Sequence, residues 1–243
     1  MGTKVIAVCV GTEPCQADFT VHEDLLRGSS KFFEAALGRE WLESQERRVQ
    51  LSEFDPETFA LYVQWLYTGR HHTSNTGLSQ VHTLTSGYVL GNYLQDDKYQ
   101  DSLLDTLAEH LEEYPVRYEI LLRTVASTYH QTTDNSPLRA FMIDCAVWKL
   151  DYHVWDMFNE DVEALTRERD QWPQVFCVQV MMGLSRRYQS TQTVENPFEE
   201  DGDPCRYHCH GDEPCYKDNT SRQDCLDFEE LEDEYDEPDD YDW

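Results

Sequence analysis

No run of apolar residues in this chain approaches the roughly 20 that a membrane-spanning helix requires. The stretch Val5 to Val10 is too short for a secretory hydrophobic region, and no small-residue cleavage site follows it. The expectation is a soluble protein of the cytosol or nucleus, in which the scattered thiols Cys9, Cys15, Cys145 and Cys177 stay reduced. Missing too are the P-loop, the Gly-rich dinucleotide turn, the H-E-x-x-H helix and the nucleophile elbow, so binding is expected and catalysis is not. Bases are scarce: Lys and Arg total 19 against 48 Asp and Glu, a formal net charge of −29. Phosphate backbones and anionic membranes are repelled by such a surface, which argues against either as a partner. Arg47-Arg48 and Arg186-Arg187 are too short to act as nuclear-import clusters.

The shortage of positive charge is uneven. Residues 195–243 hold 20 acids and only Arg206, Lys217 and Arg222 as bases, so this segment supplies −17 of the −29. Helical periodicity ends near Thr191, and the turn-forming, acidic sequence beyond it predicts a tail that is disordered at least without a ligand. The remaining −12 is spread over roughly 190 residues and is compatible with a folded domain.

What is present in the first half is a well-punctuated series of elements. Val5 to Val10 is β-branched and closed by Gly11, and Phe19 to His22 follows a turn-rich stretch, which together predict a β-hairpin. A short helix begins near His22, and Ser30 caps a second with Phe32, Phe33, Ala36 and Leu37 on one face. Val49 to Leu51 alternates as a third strand. Asp55-Pro56 then opens a helix with the apolar stripe Phe59, Tyr62, Val63 and Leu66, which Gly69 stops. A helical pair follows, carrying Leu78, Val81, Leu84 and Tyr88, then Leu103, Leu104, Leu107 and Leu111, with Asp96-Asp97 at the turn. Beyond Pro115 the spacings stay helical through Leu121, Val125 and Tyr129, Phe141, Cys145 and Trp148, Trp155, Phe158, Val162 and Leu165, and Phe176, Val180, Leu184 and Tyr188. No strand is expected after about residue 55.

This order, with Val8-Cys9-Val10-Gly11, Phe19-Thr20-Val21-His22-Glu23-Asp24-Leu25-Leu26, Ser29 through Leu37, Trp41-Leu42-Glu43-Ser44, Val49-Gln50-Leu51 and Asp55 through Gly69, resembles the BTB/POZ domain. The whole is similar to the BTB proteins of filamentous fungi that add helices and an acidic Cys/His tail. The resemblance implies an α+β chain: a BTB/POZ domain at 1–112 with a small sheet and packed helices, an all-α extension at 113–190, and a disordered acidic tail at 191–243. It implies a protein-interaction adaptor that binds other proteins or itself as a homodimer. Thr3-Lys4-Val5 stands where BTB transcription regulators place the acidic residue of a charged pocket. Few residues precede Val5, so the N-terminal arm that many dimeric members exchange is not expected.

Trp41-Leu42-Glu43 resembles the hydrophobic-x-Glu motif by which BTB adaptors engage the cullin scaffold of ubiquitin ligases. An aromatic anchor beside a carboxylate makes a compact hot spot, although a tryptophan covering the core edge would read the same way. The alternative is a nuclear regulator whose BTB domain and acidic tail bind other proteins. His22 fits packing at the strand-to-helix junction better than catalysis, having no nucleophile motif with it. Cys205, His208, Cys209, His210 and Cys215, with Cys225 beyond, bring thiols and imidazoles within reach of a tetrahedral zinc. A flexible thiol-bearing tail without cofactor, or redox pairing of Cys205 with Cys209, are the competing readings. The terminal run from Glu229 to Asp242, with Phe228, Leu231, Tyr235, Tyr241 and Trp243, reads as a solubilising tail or a segment that docks on a basic surface.

Overall fold

The computed structural model describes residues 3–38, 47–72, 78–113, 117–149, 172–189, 196–198 and 203–218. Strand β1 (Val5–Val10) pairs antiparallel with β2 (Ala17–His22), in register from Val5 opposite His22 to Val10 opposite Ala17. On its other side β1 runs parallel to β3 (Arg48–Leu51), giving the order β2-β1-β3. A parallel neighbour requires a crossover, and helices α1 (Glu23–Ser29) and α2 (Lys31–Ala36) lie within it. The central strand is covered on both faces: Val8, Cys9 and Val10 are all buried, which is why its sequence is a continuous apolar run and does not alternate.

Local chemistry sets the helix ends much as the residue types foretell. The Ser30 hydroxyl accepts from the Phe33 N–H and itself donates to the Leu94 carbonyl at 2.6 Å. One side chain thereby caps α2 and satisfies a carbonyl at the end of α4 (Leu78–Leu94). Asp55 accepts from the Glu57 N–H at 2.7 Å to start α3 (Pro56–Thr68), and Gly69, at φ +66°, ends it with its N–H on the Trp65 carbonyl. The buried face of α3 differs from the expected stripe. Phe59 and Tyr62 are buried together with Thr58 and Leu61, whereas Val63 and Leu66 are half-buried, because α3 packs against both α1 and α4.

Helix α5 (Asp97–Glu113) buries Leu103, Leu104, Leu107 and Leu111 as one face. It lies unusually close to α4. A Cβ on Gly91 would sit 2.8 Å from Gln100 Cγ and 2.9 Å from Tyr99 Cδ1, and one on Gly87 would meet the Tyr99 hydroxyl at 3.0 Å. The second half contains α6 (Arg117–Arg123), α7 (Val125–Gln131), α8 (Pro137–Trp148) and α9 (Gln174–Gln189), with no strand among the described residues after 55. The expected helix through Leu121, Val125 and Tyr129 is broken at Thr124, yet all three side chains are buried. The buried Arg139 guanidinium on α8 donates to the Tyr129 and Thr132 carbonyls and to Asp134 at 2.8 Å, and lies over the Tyr129 ring. It closes the C-terminal end of α7, where backbone acceptors lack helical partners. Trp155, Phe158, Val162 and Leu165 lie outside the described residues. On α9, Phe176 and Val180 enter the core, but Tyr188 is 81% exposed, as are Val175, Val178, Met181 and Met182 to lesser degrees. No helix among the described residues is long and apolar enough to cross a membrane.

Asp96, at the α4–α5 turn, joins the parts. Its carboxylate caps α5 by accepting from the Tyr99 N–H at 3.1 Å, and it also accepts from the Tyr62 hydroxyl of α3 at 2.9 Å and the Ser29 hydroxyl of α1. Burial raises its pKa to about 6, against the opposing pull of those hydrogen bonds. A carboxyl raised in the folded state contributes stability at low pH that is lost as pH climbs from about 4 through about 6, since the folded chain holds the proton longer. The shift corresponds to roughly 3 kcal/mol. Asp96→Asn keeps the cap through its amide oxygen and removes the titrating charge, so urea unfolding should show the variant gaining on the parent as pH rises across that window. Asp96→Ala should lose about 2–4 kcal/mol, because the cap goes and buried hydroxyls are orphaned.

Candidate metal centre

The Cys/His cluster lies in the part of the acidic tail that the structure describes. Residues 203–218 form a chain of tight turns, with i to i+3 backbone bonds from Cys205 to His208, His210 to Glu213 and Cys215 to Asp218. Within the acidic tail this segment is laid across α5 and α8 and held by aromatic and carboxylate contacts. Tyr207 meets Phe141 edge-on at a ring separation of 5.2 Å and donates to Asp144 at 2.8 Å, where Arg206 also pairs. Asp105 accepts from the Tyr216 hydroxyl at 2.6 Å and from Lys217 at 2.8 Å, with His208 Nε2 at 3.2 Å from the same oxygen. Burial would raise Asp105, but its contacts with His208, Lys217 and Tyr216 outweigh this and hold it below the ordinary carboxylate range.

Four of the five candidate ligands come together. The donor atoms of Cys205, His208, His210 and Cys215 all lie within 4.8 Å of one another, and Cys215 Sγ is 3.6 Å from His208 Nδ1. The fifth, Cys209, points elsewhere: its Sγ is 3.4 Å from the Tyr88 hydroxyl on α4, and its N–H donates to Asp101 on α5. Burial pushes the Cys209 thiol up to about 12. The Cys205 thiol is raised to about 11 by burial and then by the neighbouring Cys215. Cys209 therefore belongs to the interface with α4 and α5, which also argues against its redox pairing with Cys205. Cys225 lies outside the described residues.

The spacing of the ligands was visible in the sequence, but their supports were not. Asp101 and Asp105 are separated by one helical turn on the face of α5 opposite the leucines, a pattern shared with any solvated acidic face. Trp41, Leu42 and Glu43 lie outside the described residues. His22 sits where packing was expected: its backbone N–H donates to the Tyr67 hydroxyl at 3.2 Å and its Nδ1 is 2.6 Å from the same oxygen, tying the end of β2 to α3.

A family model of the BTB/POZ domain matches residues 6–110, from β1 nearly to the end of α5. The chain carries a BTB/POZ domain. BTB/POZ domains mediate protein–protein interaction and dimerisation. Asp101 and Asp105 fall inside the matched residues, so the Cys/His segment is anchored on the BTB domain itself, about 100 residues away along the sequence. It also reaches Asp144 and Phe141 of α8, and so spans the BTB domain and the helical extension.

Tyr207→Ala removes the aromatic contact and the hydrogen bond to Asp144 together. It should loosen this segment by about 2–3 kcal/mol. Limited proteolysis read by mass spectrometry should show faster cutting within 203–208, while hydrogen exchange in β1 and β2 stays unchanged.

Proposed function

We propose that this chain is a non-catalytic adaptor in which the BTB domain engages one protein and the C-terminal half presents or recruits another, and that the BTB partner is the cullin scaffold of a ubiquitin ligase. The observation that carries the reading is the BTB/POZ match over residues 6–110, a family of protein-interaction domains. The cullin assignment is supported by Trp41-Leu42-Glu43, whose aromatic-x-acidic pattern fits an anchor that fills a pocket and a charge that orients it. The helical extension adds exposed apolar side chains at Val175, Val178, Met181 and Met182 on α9, a surface more typical of interaction proteins than of inert monomers. Charge favours a protein partner over nucleic acid, given the excess of 48 acids over 19 bases.

Titration of the full chain into a purified cullin N-terminal region by calorimetry tests the proposal. Binding is expected, with Trp41→Ala and Glu43→Lys each weakening it at least 10-fold, as hot-spot truncations do. No measurable binding, or binding indifferent to both substitutions, overturns the cullin assignment. Tail-dependent, salt-sensitive binding to basic nuclear proteins would replace it with the regulator reading.

A further inference from the structure

We propose that Cys205, His208, His210 and Cys215 bind one structural Zn²⁺, which locks the turns of segment 203–218 in the shape that packs on α5. This is independent of the cullin assignment. Thiolate and imidazole are the donors zinc favours, and two of each is a closed structural set that leaves no position for substrate. With zinc–sulfur bonds of about 2.3 Å and zinc–nitrogen bonds of about 2.0–2.1 Å, a tetrahedron has a sulfur–nitrogen edge of about 3.5 Å. The Cys215 to His208 separation of 3.6 Å lies on that edge, and the whole donor set already falls within 4.8 Å.

The surroundings leave the right nitrogens open. His208 is 2% exposed in its side chain, with Nδ1 turned to Cys215 and Nε2 3.2 Å from Asp105 Oδ2 without a formed hydrogen bond. A carboxylate behind a histidine ligand is the usual outer support of a zinc site. His210 has Nδ1 3.0 Å from the Gly211 carbonyl, which makes Nδ1 the protonated nitrogen, while its Nε2 is buried with no hydrogen-bond partner. Asp101 Oδ2, on the same face of α5, is likewise buried without a partner. Buried polar atoms left unsatisfied are expensive, and a cation bound at the cluster accounts for both the open nitrogen and the surplus negative charge beside it. On binding, the two thiols release their protons to solvent and the metal takes their places.

Two other chemistries fit part of the cluster. Cys215, His208 and Asp105 are lined up as a thiol, an imidazole and a carboxylate, but Cys215 is only 7% exposed, so no substrate reaches its sulfur. A Cys205–Cys215 disulfide would use the sulfurs and leave the convergence of two imidazoles unexplained.

The test uses the full chain, expressed with zinc and purified without chelator. Native mass spectrometry and elemental analysis are expected to give one zinc per chain. Cobalt exchanged into the site should show tetrahedral d–d bands and thiolate-to-cobalt charge transfer. In competition with a chromophoric chelator, Cys215→Ser and His210→Ala should each lower zinc affinity at least 100-fold, and Cys209→Ser should stay within about 3-fold of the parent. Asp105→Asn, acting through His208, should cost about 10–100-fold while keeping the tetrahedral cobalt spectrum. Chelation should speed proteolysis within 203–218. Less than about a tenth of a zinc per chain, a native Cys205–Cys215 disulfide, or Cys209→Ser losing metal as readily as Cys215→Ser would each overturn the proposal; the spectra of the parent and Cys209→Ser decide it even if the other variants fail to fold.

Discussion

A carboxylate sealed into the interior at Asp96 is the constraint on which the BTB half is organised. It is fixed to α1 through Ser29, to α3 through Tyr62 and to the first turn of α5 through the Tyr99 backbone. Each of those donors would be unsatisfied without it, and it would be an uncompensated charge without them, so the three helices are held to one relative placement. Ser30, adjacent to Ser29, adds a second tie to the end of α4 through the Leu94 carbonyl. Hydrophobic burial holds the sheet against these helices, but burial is not directional; the polar junction is what sets their registration.

That registration also explains why α4 and α5 approach so closely. Tyr99, one turn past Asp96, lies against Tyr62, Trp65 and His71 at ring separations of 4.8, 5.2 and 5.5 Å, and its body occupies the space left by Gly87 and Gly91. A side chain at Gly91 would have to displace this ring or Gln100, and crowding of that sort in a packed core costs typically 1–3 kcal/mol. With α5 pinned at its start and packed along its inner face, its outer face becomes a rigid platform. Asp101 and Asp105 stand on it at fixed height, and the later segment is built onto them.

The order of elements in the BTB half was legible because its signals are local. Ser30, Asp55-Pro56 and Gly69 mark ends through side chains that act within a turn, and the α5 leucines repeat at helical spacing. What was not legible depends on residues distant in sequence. Asp96 read as a turn residue, since nothing near it announces Tyr62 or Ser29 as partners, and Gly87 and Gly91 carry no sign that Tyr99 will lie over them. Thr124 interrupts a periodicity that Leu121, Val125 and Tyr129 still satisfy, because a break between two helices can preserve which side chains face inward. The Cys/His ligands were visible as a spacing, but spacing treats Cys209 as equal to its neighbours. Only the position of Tyr88, 121 residues away, removes it from the set.

Summed composition hides where the bases of the tail fall. Residues 195–243 read as one acidic stretch, yet two of its three bases, Arg206 and Lys217, lie within the 203–218 segment and pair with Asp144 and Asp105. Exposed ion pairs contribute little on their own. Here they share acceptors with Tyr207 and Tyr216, and Asp105 is largely buried, so the positive charges fall where the chain must meet a carboxylate-bearing surface. After residue 218 only Arg222 remains as a base against 12 acids. The docking of 203–218 is thus written in the placement of a few cations, and a window that sums charge over the whole stretch erases it. The same placement matches Asp144 and Asp105 with Arg206 and Lys217 in a chain of net charge −29.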